Sequence, residues 1–206
     1  MKKSIRFINY FPLLAVSFLL LSCGSAPLVK DSKVLISNVE KTHSLKLIYL
    51  NAEMKITSSN SYGKGAIAAD TGFNGFGSLI VKQAEPAFSQ RGVEVVDAKV
   101  LNGKEPILVD PPPNDTGSAA LPILIIAPTT GKISTNGRAT NTSYVFSALL
   151  IDPNTKRTIW KATIDTKTWS GQDIVLKNFK KTLYDESYAL QLLNIVADQM
   201  KQDGVI

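Results

Sequence analysis

The chain has one cysteine and one histidine in 206 residues, and only 19% of those residues are charged. A single cysteine excludes a disulfide framework within the chain. A single histidine leaves too few soft or imidazole ligands to assemble a zinc or haem site, so no metal ligand and no cofactor are expected. No Gly-x-Ser-x-Gly elbow is present to expose a nucleophilic serine, and His43, in Lys41-Thr42-His43-Ser44, reads as an exposed turn residue rather than a catalytic base. Gly131-Lys132 fails as a phosphate loop, because Ile126 and Ile133 stand where a glycine and a Ser/Thr are required. No catalytic residue is expected. What is present, 44% hydrophobic residues and unremarkable glycine, describes one ordinary globular domain.

The amino terminus is the most specific part of the sequence. Lys2, Lys3 and Arg6 precede an apolar run from Phe11 to Leu21. That run has the ~7–15 residues of a signal-peptide hydrophobic region and falls short of the ~20 needed to span a bilayer. It ends in Leu20-Leu21-Ser22-Cys23, an aliphatic residue three before the cysteine and a small one directly before it. This resembles the bacterial lipobox. The resemblance implies diacylglyceryl transfer to the Cys23 thiol, cleavage before it, and acylation of the new amine. The alternative is a plain secretory signal in which Cys23 is incidental. Gly24, rather than aspartate, follows the cysteine, which resembles outer-membrane sorting. Cleavage removes three of the surplus cations, taking the formal charge from +6 to +3. Such a surface is not the basic footprint of a nucleic-acid-binding protein.

The expected organisation is a signal peptide at 1–22, a tether at 23–32 and a single α+β domain at 33–206. Leu45–Leu50 reads as a strand. Between Thr57 and Gly77, serines and five glycines mark a turn-rich, flexible loop. Its Gly72-Phe73-Asn74-Gly75-Phe76-Gly77 makes Phe73 and Phe76 candidate partner contacts. Leu79, Ile80, Ala84, Ala87 and Phe88 recur at helical spacing, predicting a helix over 76–91 ended by Gly92. Pro86 conflicts with that helix, which must kink there or be shorter than the pattern. Val93–Val96 reads as a strand, and the prolines at 111–113 as a stiff loop that, at 111–118, is a second candidate contact surface. Pro122–Ala127 is apolar without interruption, the mark of a central strand. Ser143–Asp152 and Thr158–Trp169 form a hairpin about Pro153-Asn154-Thr155-Lys156, with Trp160, Ala162, Ile164 and Thr166 facing inward. Tyr188, Leu192, Ile195, Val196 and Met200 share one helical stripe that Gly204 ends, with Thr182 and Asp185 as its cap. The sum is an α+β two-layer sandwich, a mixed and mostly antiparallel sheet with about two helices on it.

One further likeness lies in the last third. Ala148-Leu149-Leu150-Ile151-Asp152, Thr155 and Thr158-Ile159-Trp160-Lys161-Ala162, followed by a terminal amphipathic helix, is similar to the ending of small bacterial envelope lipoproteins with a TolB-amino-terminal-like α/β fold. Relatives of that shape include curli-secretion and penicillin-binding-protein-activator lipoproteins. The resemblance implies a non-enzymatic periplasmic module that binds or assembles with envelope proteins. The expectation is therefore a membrane contact through Cys23, an envelope protein partner or self-association, and no nucleic acid. Two other classes stay open at this stage. One is a cell-wall hydrolase using paired carboxylates from among Asp110, Asp115, Asp152 and Asp165. The other is a lipid or small-molecule carrier with an enclosed apolar cavity.

Overall fold

An apolar run with no alternation can be hidden only where both faces of a strand are covered. The computed structural model puts Pro122–Ala127 in such a place. It describes residues 28–36, 40–52, 54–60, 63–67, 75–103, 120–136, 139–166, 169–170 and 186–206. Nine strands appear there: β1 (Leu28–Val34), β2 (Ser44–Asn51), β3 (Lys55–Asn60), β4 (Gly63–Ile67), β5 (Glu94–Asn102), β6 (Ile123–Asn136), β7 (Ala139–Ile151), β8 (Thr158–Asp165) and β9 (Trp169–Ser170). Two helices join them, α1 (Phe76–Ser89) and α2 (Glu186–Gln202). The strand order is β1-β8-β7-β6-β2-β5, so β6 is central. The β1–β8, β8–β7 and β7–β6 pairs are antiparallel, while β2 lies parallel to both β6 and β5. The fold is α+β, a mixed sheet with the helices layered on one face.

Strand β6 is long enough to serve two neighbours on the same edge. Lys46–Tyr49 of β2 pair with Ile123–Ile126, and further along Lys55–Ser59 of β3 pair with Thr130–Ser134. A register shift between Pro128 and Thr130 separates the two stretches, and there the Thr129 hydroxyl donates to the Val145 carbonyl at 2.9 Å. Beyond it, β4, β3, the distal halves of β6 and β7, and β9 form an extension of the sheet. The expected flexible loop over 57–77 is corrected in its first part. Residues 55–67 form the β3–β4 hairpin, with Ile56 opposite Ile67 and Asn60 opposite Gly63. Serine and glycine conceal this because the ladder is held by backbone bonds, which need no apolar alternation. Phe73 and the loop 111–118 lie outside the described residues.

The helices bury one parity of each strand. Leu45, Leu47 and Tyr49 of β2, Leu124 and Ile126 of β6, Phe146, Ala148 and Leu150 of β7, and Trp160, Ala162 and Ile164 of β8 belong to one core. Against them lie Phe76, Ile80, Ala84, Ala87 and Phe88 of α1, and Ala189, Leu192, Leu193, Val196, Ala197 and Met200 of α2. The inward set expected for β8 is the buried one. In α2 the buried stripe is rotated slightly from the expected one: Tyr188 and Ile195 flank it and are only partly covered. The opposite parity builds a second cluster on the other face, Ile48, Ile123 and Ile125 with Leu50, Leu101, Leu149 and Ile151. The two clusters together explain why both parities of 122–127 are apolar.

Pro86 sits inside α1, exposed, and the helix runs three residues past it to Ser89. The ring faces solvent, so the only casualty is one backbone bond to the carbonyl four residues back. The chain then turns through Gly92, whose φ of 77° is the left-handed cap expected of it. After the second helix Gly204 has φ 73°, and the Trp160 Nε1 donates to Asp203 Oδ2 at 2.7 Å. Gln199 donates to the other Asp203 oxygen and to the Ser32 hydroxyl, both at 2.9 Å, so the end of α2 is tied to β8 and β1.

Candidate functional site

The structure divides the expected contact residues. Phe76 is corrected from an exposed loop residue to a core one: it opens α1 and is 1% exposed, its ring 6.0 Å from both Tyr49 and Phe146. The glycines around it misled because they serve backbone geometry rather than mobility. Gly75 has φ 93° immediately before the helix, a conformation that costs other residues about 1–2 kcal/mol. Gly77 lets the first turn of α1 press against Tyr49 and Val100. Cys23 lies outside the described residues.

The candidate chemistry among the described residues is dispersed. His43 is exposed, and its carbonyl accepts the Glu94 amide at 2.9 Å. Asp152 sits at the β7–β8 turn, where it accepts from the Asn154 amide at 2.9 Å and the Thr155 hydroxyl at 2.8 Å. Burial works against its ionisation, yet these bonds hold its carboxyl below the ordinary carboxylate range. Asp165 ends β8 and takes an ion pair from Lys30 at 2.9 Å and a bond from the Ser143 hydroxyl at 3.1 Å. The length of β8, roughly 20–25 Å at the usual rise, therefore keeps these two carboxylates apart. Asp110 and Asp115 lie outside the described residues, as does any pairing with them. Among the described residues no three His, Cys, Asp or Glu side chains cluster to hold a metal.

Among the described residues Arg91 makes an extensive set of contacts between the two helices. Its Nη1 donates to the Ala87 carbonyl at 2.6 Å and to Asn194 Oδ1 at 3.0 Å, while Nε and Nη2 both reach Asp198 Oδ1 at 2.8 Å. It closes the carboxyl end of α1 and fastens α1 to α2. The hydrogen bond from Arg91 is the main cause holding the Asp198 carboxyl below its ordinary value. A depressed folded-state value means that this stabilisation is complete above about pH 4 and is lost as pH falls through the folded value. Urea unfolding of wild type and Asp198→Asn should differ at pH 7 and converge below pH 4. A difference that is constant with pH would show that ionisation of Asp198 does not contribute.

What the sequence reading missed is the start of the domain. Leu28–Ser32 are not tether: they belong to β1, which covers the outer edge of β8 from Leu28 opposite Asp165 to Val34 opposite Trp160. Backbone groups on β8 require a partner whatever the side chains are. Ser32 and Ile36 share one parity toward the helices, whereas Val29 reaches that side only through the register shift between Val29 and Asp31, so no regular alternation marks this strand in the sequence. Strands β1 and β5 thus form the two edges of the main sheet. Five large apolar side chains are exposed among the described residues: Leu28 at 48%, Val34 at 36%, Leu35 at 43%, Val96 at 52% and Val100 at 38%. All five lie on these edges or directly beside them. Ordinary surfaces scatter such residues singly. Here they mark both ends of one sheet.

No family model matches this chain, and no curated protein does. Among solved structures it is similar to the PelC dodecamer from Paraburkholderia phytofirmans, at 12% identity over 82% of this chain and 94% of that one, with a TM-score of 0.42. Protein XCC0632 from Xanthomonas campestris, of the family model DUF330, is 12% identical over 88% of this chain and 98% of that one, with a TM-score of 0.44. Lipoprotein GNA1162 from Neisseria meningitidis is 12% identical over 77% of this chain and 99% of that one, with a TM-score of 0.39.

Proposed function

We propose that this protein is a lipoprotein anchored in the outer membrane through Cys23, facing the periplasm and serving without catalysis as an interaction or assembly module of the cell envelope. The observation that carries the reading is Leu20-Leu21-Ser22-Cys23 closing a signal-length apolar run that begins after three cations. The lone cysteine of the chain stands at the one position where a thioether, not a disulfide, is the expected product. Anchoring by several acyl chains is effectively permanent, since each buried methylene adds ~0.8 kcal/mol and one chain alone holds only marginally. Cys23 is five residues before the first strand, and five extended residues reach no more than ~18 Å, so the domain works close to the bilayer. The apolar side chains gathered at two sheet edges favour protein contact over small-molecule chemistry.

Replacing Cys23 with alanine tests the anchor. Cells fed labelled palmitate should incorporate it into the wild-type chain, and Cys23→Ala should lose all label and leave the membrane fraction. Label persisting in Cys23→Ala, or a wild-type chain whose mass shows neither cleavage nor acylation, overturns the reading. Separation of inner from outer membranes then checks the sorting implied by Gly24.

A further inference from the structure

Strand β5 pairs with β2 on one side, and no described strand lies on its other side; the same holds for β1 beyond β8. An edge offers alternate peptide groups for a new ladder, and natural proteins usually block that offer. Here the first residue or two of β5 are blocked: Glu85 of α1 accepts the Val95 amide at 2.8 Å, and a register shift follows as Leu45 faces Val95 but Lys46 faces Asp97. From Val96 to Asn102 that block is absent.

The directions of the two edges are complementary. In the strand order β1 runs against β8, β8 against β7 and β7 against β6, whereas β6, β2 and β5 run together. A second copy placed beside β5 in the same orientation therefore presents its β1 antiparallel to β5. We propose that the protein assembles head to tail in this way, Val96–Lys99 of one copy pairing with Asp31–Val34 of the next, the stretch of β1 that follows its own register shift between Val29 and Asp31, to continue the sheet.

The side chains select the register. Asp97 and Lys99 project from the face of β5 away from the helices, since Ala98 between them packs on the helix side. Asp31 and Lys33 project from the same face of β1, since Ser32 between them meets Gln199 of α2. All four are exposed and make no ion pair among the described residues. Setting Asp97 opposite Lys33 puts Lys99 opposite Asp31, and it brings exposed Val96 opposite exposed Val34. A shift of one residue sends every side chain to the wrong face. A shift of two residues sets Asp97 against Asp31 in one direction and Lys99 against Lys33 in the other, and like charges directly opposite are unfavourable. Over the stretch from Asp31 to Val34, one register satisfies both edges.

This inference rests on the lipid-anchor reading in one respect. Head-to-tail copies keep the amino end of every β1 on the same side, so all their anchors reach one membrane. An antiparallel pairing of β5 with β5 points the anchors in opposite directions along the strands. Confinement to a membrane also raises the effective concentration of a small interface. A heterologous contact of this type closes into a ring or continues as a filament.

Disulfide trapping in membranes of cells making the full chain tests the pairing. Directly opposite residues have Cα atoms ~4.5–5.5 Å apart, within reach of a disulfide. Asp31→Cys and Lys99→Cys in one chain should give, on mild oxidation, a ladder of dimers, trimers and larger species that reductant collapses, while each single variant and the wild type stay monomeric. Adding Asp97→Lys should cut the ladder at least tenfold, and adding Lys33→Asp to that should restore it. A ladder absent from the double variant, a dimer from Lys99→Cys alone, or a ladder indifferent to Asp97→Lys overturns the proposal. Palmitate labelling of the same samples keeps the two readings apart: label without a ladder defeats the assembly alone, and a ladder without label defeats the anchor alone.

Discussion

Phe76→Ala should cost the domain about 3–5 kcal/mol, the range for removing an aromatic ring from a packed core. The ring is almost wholly buried and meets Tyr49 edge-on, at an interplanar angle of 77°, as well as Phe146. It joins β2, β7 and α1 at the first turn of the helix, where no other α1 side chain substitutes for it. A loss of that size is a large part of the 5–15 kcal/mol that domains usually possess. Denaturant midpoints with an unchanged slope would measure it. The comparison also separates two roles: a partner-contact residue on a loop, as the glycine-rich sequence first implies, would leave the midpoint within ~0.5 kcal/mol of wild type. Such a result would remove Phe76 from the core and return it to the surface.

Gly77→Leu is expected to be damaging for the opposite reason, too much volume. A Cβ at this position already falls 2.7 Å from Tyr49 Cδ1 and 2.9 Å from Val100 Cγ2. The Tyr49 ring is buried and cannot swing away, and Val100 is short and branched, so helix and sheet must separate. Overpacking of this type costs about 1–3 kcal/mol, and the remaining leucine atoms push it toward the upper end. Gly77→Ala sets two effects against each other, because alanine favours a helix over glycine by about 1 kcal/mol. The contact distances decide the sign: Gly77→Ala should still be destabilising, though by less than Gly77→Leu. Thermal unfolding of the pair checks the order, and a stabilised Gly77→Ala would show that α1 lies farther from β5 than these distances require. Since Val100 belongs to the edge proposed to receive β1, Gly77→Leu should also weaken the trapped ladder.

Local chemistry determined a good share of this protein without any knowledge of its packing. The Gly92 and Gly204 stops, the β7–β8 hairpin and the inward parity of Trp160, Ala162 and Ile164 are relations within a few residues, and periodicity or backbone geometry encodes them directly. The α+β class followed from their order. Tertiary structure alone decided which strands became edges, because strand pairing joins residues far apart in the chain: β1 meets β8 across more than a hundred residues. It also decided the status of Phe76, since a glycine on each side reads the same whether it loosens a loop or admits a close helix–sheet contact. The β3–β4 hairpin was hidden for a related reason, as its ladder depends on backbone groups that every residue carries. The candidate interaction surface is the clearest case. Asp31, Lys33, Asp97 and Lys99 are ordinary solvated charges in one dimension, and they acquire a complementary register only when the fold sets their strands at opposite ends of one sheet.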